Sequence, residues 1–475
     1  MAEVVLDNEI RTARQFQNAI ALTQRCDCLL QLIGPTSENY KLRQDTFKLI
    51  SQQILQRLPS ALLVPYGSFV SKCYLFNSDI DFCCWAPSQD VKETFVAVQK
   101  ILQSIPDIQQ IQPIDAEVPV IKCSYMGIGC DISFSQPAGI LTAYMLELLD
   151  QTIQKNHLYK RSLVLIQNYC LNESHTLGSH NFMLSSYALR TMVAFILFQQ
   201  PQISSPLQTL VAFLDFFGNF DFENNVVTLF GVMSQSQFQF FQSSQQALNE
   251  LQKQFGENVK QNLQIVKLIQ QINHLIGLRV SCDDKYLRQN GYFDVVLSLL
   301  DEDNKTDLHE FFKNQATTVS EKQFGVKFDS QLDFAQQQEI TNNIVAKFIK
   351  SKDVLHYFKD ESSFSFKYVN VSDPLLPSNN LGKSVSKQNL NRMQRAMQMG
   401  CLQLQQLLHD GLYGDQTVVQ CLAEFDTMFV NTLALVSQSP KQNDFQVDDQ
   451  ELYQAILKVV SVGFGLKSKG VVWDK

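Results

Sequence analysis

Basic charge is in short supply in this chain: 39 Lys and Arg stand against 47 Asp and Glu, for a net charge of −8 and a pI near 5.5. That deficit excludes a protein that grips a polyanion through bulk electrostatics, so any such contact must come from a local basic cluster. Paired Cys-x-x-Cys spacing with His is also missing, and Cys26-x-Cys28 alone cannot build a zinc site. The eleven cysteines therefore read as reduced intracellular thiols, and the expected location is the cytoplasm, with the nucleus left open. The amino-terminal MAEVVLDNEIRTARQF lacks the apolar core of a signal peptide. The most apolar helical stretch, near Tyr187 to Phe198, is too short to span a bilayer and carries Arg190. No membrane partner is expected, no internal repeat is evident, and no aromatic-rich nucleic-acid-binding module is visible.

With 475 residues, 45% of them hydrophobic, the chain can bury substantial cores and is expected to hold two or three domains. Residues 1–58 read as helical, 59–140 as a mixed α/β module and 141–475 as mainly helical. Helical apolar spacing recurs over Ala143 to Ile153, Lys160 to Leu171 and Ser185 to Phe198. The span 232–368 is rich in Gln, Asn, Ser and charge. Low-complexity disorder is one reading of it; recurring Leu, Ile, Val and Phe favour an inserted, mostly ordered helical segment. Beyond Asp415 the helical pattern continues, broken at Ser437 to Asp444 by a polar loop around Pro440.

The chemistry concentrates in Pro65 to Trp85, PYGSFVSKCYLFNSDIDFCCW. Gly67 permits a tight turn and close backbone approach, and Ser68 can cap a short helix over Phe69 to Tyr74 whose free N–H groups suit phosphate. Asp79 to Trp85 then reads as a strand, so Asp79 and Asp81 share one face while Ile80 and Phe82 take the other. Two carboxylates on one face repel and are costly to desolvate, and a divalent cation relieves both problems. An isolated Asp-x-Asp is usually a solvated strand end, but this pair follows a Gly-Ser turn at helix-length spacing. A third acid completes such a site, and Asp131 in IGCDISF fits, with Val118 to Cys123 as its hairpin partner.

These segments resemble the DNA polymerase β nucleotidyltransferase superfamily and, within it, the non-canonical poly(A) polymerase and terminal uridylyltransferase family. VPVIKCSYMGIGCDISFSQPAGI is similar to the family's third-carboxylate strand and LSSYAL to its nucleotide-contacting helix start. LQTLVAFLDFFGNFDFENNVVTLFG and DPLLPSNNLGKSVSKQNLNRMQRAMQMG resemble the two halves of its poly(A)-polymerase-associated region. The resemblance implies an α+β fold: a small mixed-sheet nucleotidyltransferase domain at 59–140 and a larger all-helical domain at 141–475. The helices of 1–58 would pack with the latter, and the active site would lie in the cleft between the two. It implies template-independent RNA 3′-terminal nucleotidyl transfer, with Asp79, Asp81 and Asp131 holding Mg²⁺ or Mn²⁺. Gly67, Ser68 and Ser186 would take the phosphates of UTP or ATP. Tyr187, otherwise a core aromatic, would stack on the base, and Thr142 would meet the ribose.

Relatives place lysines where this chain has Gln167 and Leu171, in a segment that grips the triphosphate. Gln hydrogen-bonds phosphate without adding charge and Leu does neither, so Lys160 or a partner is expected to supply it. Asn379 stands where uridylating relatives often carry His. UTP is favoured narrowly, and Asp373 is a base-side candidate or an Asp-Pro turn. Lys383, Lys387, Arg392 and Arg395 form the basic segment expected to meet RNA phosphates, or else a solvated helix face. An inactive scaffold and an oligonucleotide synthetase are the other two readings. By resemblance alone, an RNA-dependent RNA polymerase or another RNA-silencing subunit is the expected partner.

Overall fold

The computed structural model describes residues 2–243 and 364–438, apart from 59–60, 87–89, 117, 136–137, 230, 377 and 415. The expectations for most of the Gln-rich insertion and for the loop around Pro440 lie outside the described residues.

The chain opens with two helices, α1 (Ala2–Ile33) and α2 (Ser37–Arg57). Pro35 cannot continue the first, and Thr36 starts the second by accepting the Asn39 N–H at 3.2 Å. The two part company at this break. Leu22, Cys26, Leu29 and Ile33 of α1 join the core of the helical domain, whereas Phe47, Ile50 and Ile54 of α2 join that of the sheet. The expectation that all of 1–58 packs with the helical domain is thereby corrected: the apolar stripe of α2 lies against the sheet, and the boundary falls at Gly34-Pro35. Arg25 locks α1 to the helical side with two contacts of 2.7 Å to Asp426, and Asn18 Nδ2 donates to the Gly411 carbonyl at 2.8 Å.

Five strands form the sheet: β1 (Leu62–Tyr66), β2 (Ile80–Trp85), β3 (Ile108–Ile114), β4 (Val120–Tyr125) and β5 (Ile128–Phe134), in the order β1-β2-β5-β4-β3. Only the β2–β5 pair is parallel. The short α3 (Gly67–Val70) follows β1, and α4 (Val91–Gln103) follows β2. Alternation along each strand sends Ile80, Phe82, Cys84, Ile121, Cys123, Cys130, Ile132 and Phe134 to one core, where α2 and α4 cover them. The residues between them face the other way. β4 and β5 are joined by Met126 and Gly127, both at positive φ (+48° and +77°), a two-residue turn whose twist matches the strands. That turn sets Tyr125 opposite Ile128 and, three pairs on, Lys122 opposite Asp131.

The helical domain comprises α5 (Ala138–Ile153), α6 (Leu158–Asn168), α7 (Ser186–Gln199), α8 (Pro206–Gly218), α9 (Gln235–Ser243), α10 (Lys387–Tyr413), α11 (Val418–Thr427) and α12 (Val430–Ser437). Ser185 caps α7 through the Ala188 N–H, and Ser205 with Gln208 forms a full capping box on α8. The long α10 packs on α8 and α1. A ribbon of β6 (Asn225–Thr228) and β7 (Gly231–Ser234) pairs through Val227 with Val371, joining the two halves of the associated region despite their distance in sequence. No single helix among the described residues is long and apolar enough to cross a membrane.

Candidate active site

The strand registers bring the acids together. Asp81 on β2 lies beside Asp131 on parallel β5, with Tyr66 of β1 across from Asp81 and Lys122 of β4 across from Asp131. Tyr66, Asp81, Asp131 and Lys122 thus form one row on the face turned away from the palm core. Asp79 sits exposed just ahead of β2. Gly67 is required twice: its φ of +71° suits glycine, and a Cβ there would lie 2.6 Å from Asp81 Oδ2. A Cβ on Gly129 would likewise collide with Asp79 Oδ1. The two glycines let the backbone close around both acids.

The loop carrying Asp79 is held from beneath by Arg43. Its buried guanidinium donates to the carbonyls of Ser78 (2.6 Å), Phe76 (3.3 Å) and Asp79 (3.5 Å) and to Asn39 Oδ1 (2.7 Å), and it lies 4.3 Å from the Tyr74 ring centroid. Arg43→Met strips the donor from all four acceptors and should cost about 3 kcal/mol or more. Urea unfolding measures the loss; an unchanged midpoint would show that the loop holds itself.

The site is electrostatically strained without a cation. Burial pushes Asp81 up to about 6, with Asp131 and Asp79 adding to the rise and Arg190 and Lys122 opposing it. Burial and then Asp131 also raise Asp79, against Lys122 and Arg43. In metal-free protein the folded state therefore keeps a proton on Asp81 that the unfolded chain releases near pH ~4. The folded state binds more protons across this window, so the Asp81 contribution is fully present below about pH 4 and is lost as pH rises through about 6. The loss is about 3 kcal/mol. Urea unfolding in EDTA across this range, taken as wild type minus Asp81→Asn, reads it directly; a flat difference would contradict the assignment.

The donor set fits a hard divalent cation, being carboxylate oxygen throughout. The raised Asp81 is the strain that such an ion relieves. Among the described residues no group of three or more His, Cys, Asp or Glu converges on a common point, and Asp131 Oδ2 is instead paired with Lys122 Nζ. Asp79, Asp81 and Asp131 are the residues that would hold the ion.

Gly67 and Ser68 are buried at the start of α3, and Thr142 is buried on α5. Ser186 is exposed at the start of α7, with Tyr187 half-buried beside it. The Tyr187 hydroxyl donates to Asp373 Oδ1 at 2.7 Å, Asn379 Nδ2 donates to Asp373 Oδ2 at 3.0 Å, and Lys383 Nζ donates to Asn379 Oδ1 at 3.1 Å. Asp373 also accepts the Leu375 and Leu376 N–H groups. It is wholly buried and both its oxygens are engaged within the chain, which makes it the residue that positions Tyr187 and Asn379. Gln167 is buried on α6 with its Oε1 unpartnered, and Leu171 is exposed in the π-turn that follows. Lys160 cannot serve as the missing cation: it is buried against Asp150, 3.6 Å away, on the same carboxylate that binds His157 Nδ1 at 2.6 Å. Lys383 is exposed in the turn before α10, and Lys387, Arg392 and Arg395 are exposed along its start.

Three residues escaped the sequence reading. Lys122 was readable by counting back across the Met126-Gly127 hairpin, and Arg190 as a lone charge in an apolar helix. For Arg43 there was no local signal, because its partners are carbonyls of a loop more than thirty residues away.

A model of the PAP/OAS1 substrate-binding domain matches residues 153–281 and 315–433, more than half of the chain, and a model of the central palm domain of mitochondrial-like poly(A) RNA polymerase matches 22–151. The poly(A) RNA polymerase cid14 of Schizosaccharomyces pombe is 32% identical over 184 residues, covering 37% of this chain and 26% of that protein. Poly(A) RNA polymerase protein 2 of Saccharomyces cerevisiae is 28% identical over 178 residues, covering 36% of this chain and 30% of that protein. The chain thus spans under a third of these relatives' length. A solved structure of the Cid1 poly(U) polymerase superposes with a TM-score of 0.40 at 18% identity, covering 50% of this chain and 93% of that one, too loosely to bear on the site. On the two domain matches, which fall in order along the palm and the helices, the chain belongs to the non-canonical poly(A) polymerase and terminal uridylyltransferase family.

Proposed function

We propose that this chain is a template-independent RNA 3′-terminal nucleotidyltransferase that adds uridylate or adenylate from the nucleoside triphosphate. The observation that carries the reading is the pairing of Asp81 with Asp131 on adjacent parallel strands, with Asp79 one step outside and the Gly67-Ser68 turn packed against Asp81. Bound to these acids, Mg²⁺ or Mn²⁺ would lower the pKa of the RNA 3′-hydroxyl and neutralise charge on the triphosphate. The protein's own part is positional. Gly67 and Ser68 offer backbone N–H groups and a hydroxyl to the phosphates, and Ser186 adds a hydroxyl from the facing helix. Tyr187, fixed by Asp373, presents its ring to the base.

Asn379 spends one amide hydrogen on Asp373 and one lone pair on Lys383, which leaves one donor and one acceptor. That pair complements the donor–acceptor edge of uracil and of adenine alike, so base choice goes to experiment. Lys387 opens α10 and Lys383 lies in the turn before it, where a cation works against the helix dipole. Cations kept there suit an RNA phosphate. A second reading, a weak or inactive subunit that scaffolds an RNA-processing complex, is favoured by the pairing of Asp131 with Lys122 and by the absence of charge at Gln167 and Leu171.

Incubating the purified chain with labelled RNA, Mg²⁺ or Mn²⁺ and each NTP singly, beside an Asp79→Ala/Asp81→Ala control, tests both. Extension with UTP or ATP that the control loses supports the enzyme; no extension under any condition leaves the scaffold. Co-purification and imaging of the full chain test the cytoplasmic location and the silencing partner that go with this proposal.

A further inference from the structure

Asp81 and Asp131 lie on the sheet, with Asp79 and the Gly67-Ser68 turn at its end, yet neither Gln167 nor Leu171 brings a charge from the helices, and Lys160 is sealed against Asp150. Among the described residues of those helices, Arg190 brings a charge near Asp81. Over the first two turns of α7, Ala188, Leu189, Thr191 and Met192 are buried in the helical core, while Ser186, Tyr187 and Arg190 are not. Their spacing of three and four residues places all three on one face. On the nucleotidyltransferase reading that face meets the nucleotide, and Tyr187 is fixed on it by its bond to Asp373. Arg190 lies near enough to Asp81 for its charge to oppose the upward shift of that carboxyl. Its Nε is buried without a hydrogen-bond partner.

A buried donor without an acceptor is a standing cost, and a guanidinium relieves it best with the planar, bidentate acceptors of a phosphate. We propose that Arg190 holds the triphosphate of the incoming nucleotide, supplying from α7 the charge that Gln167 and Leu171 lack. This rests on the nucleotidyltransferase reading and assigns that site a residue of its own. The competing role is a counter-ion that merely neutralises Asp81, and the two differ in what binds.

Isothermal titration of the full chain with inorganic tripolyphosphate in Ca²⁺ separates them, using wild type, Arg190→Lys, Arg190→Gln and Arg190→Leu. The two neutral variants should bind tripolyphosphate about 10- to 100-fold more weakly, as expected for the loss of a charge-assisted contact. Arg190→Lys should recover part of the affinity, and a 5′-hydroxyl oligouridylate should bind as before. If Arg190→Leu does not fold, Arg190→Gln and Arg190→Lys give the same comparison at near-native size. Equal tripolyphosphate affinity in folded Arg190→Gln overturns the proposal, and so does a loss confined to the oligonucleotide, which would move Arg190 to the RNA backbone. RNA extension by wild type with tripolyphosphate binding indifferent to Arg190 sinks this inference alone. Arg190-dependent tripolyphosphate binding without extension sinks the enzymatic reading alone.

Discussion

Asp81→Asn should abolish nucleotide addition and, in metal-free protein above about pH 6, make the fold more stable. The two effects share one cause. Asp81 is a half-buried carboxylate beside Asp131 and close to Asp79, and ionising it there costs about 3 kcal/mol relative to the unfolded chain. Asn keeps the shape without the charge, so that cost disappears. The same charge is what a divalent cation needs. On the proposed nucleotidyl transfer, losing this carboxylate as a metal ligand would remove several kcal/mol of transition-state stabilisation, which predicts a rate at least about 10³-fold lower. A site that trades stability for chemistry is marked by this opposition. Primer extension and urea unfolding in EDTA, run on the same preparation, read both halves. A variant that loses activity and stability together would mean that Asp81 is chiefly a structural acid.

How much of this was legible in the sequence depends on the range of the interactions. Local turns and strand alternation were readable: Gly67, the Asp79 and Asp81 strand and the hairpin into Asp131 each carry their signal within a few residues, and β2, β4 and β5 fall close to the expected segments. The helix after Ser68 starts earlier and ends sooner than its apolar run suggests, because Gly67 begins the turn and the chain leaves helix at Ser71. What sequence could not give was partnership at a distance. The α1 and α2 patterns look alike as amphipathic helices, and only their tertiary partners, Asp426 for one and the sheet for the other, divide them between domains. In the same way Asp373 looked like either a turn former or a base reader. Its bond to Tyr187, 186 positions away, makes it the link between them.

Asp373→Ala is therefore expected to be the most damaging substitution outside the acidic row. The carboxylate is wholly buried and accepts from the Tyr187 hydroxyl, Asn379 Nδ2 and the N–H groups of Leu375 and Leu376. Removing it takes this acceptor from four donors, at about 1–3 kcal/mol for each that water cannot reach. Partial relaxation of the loop reduces the sum, and a net loss of about 3–5 kcal/mol is expected. The functional effect should be selective. Tyr187 and Asn379 lose their fixed orientation while Asp79, Asp81 and Asp131 stay on an intact sheet, so KM for the nucleotide should rise about tenfold or more and kcat should fall less. Asp373→Asn, which returns one acceptor but offers a donor where Asn379 also donates, should lie between. Steady-state kinetics on protein whose folded state is verified by circular dichroism gives the split. A fall in kcat at unchanged KM would place Asp373 with the chemistry at the sheet instead of with the base-side loop.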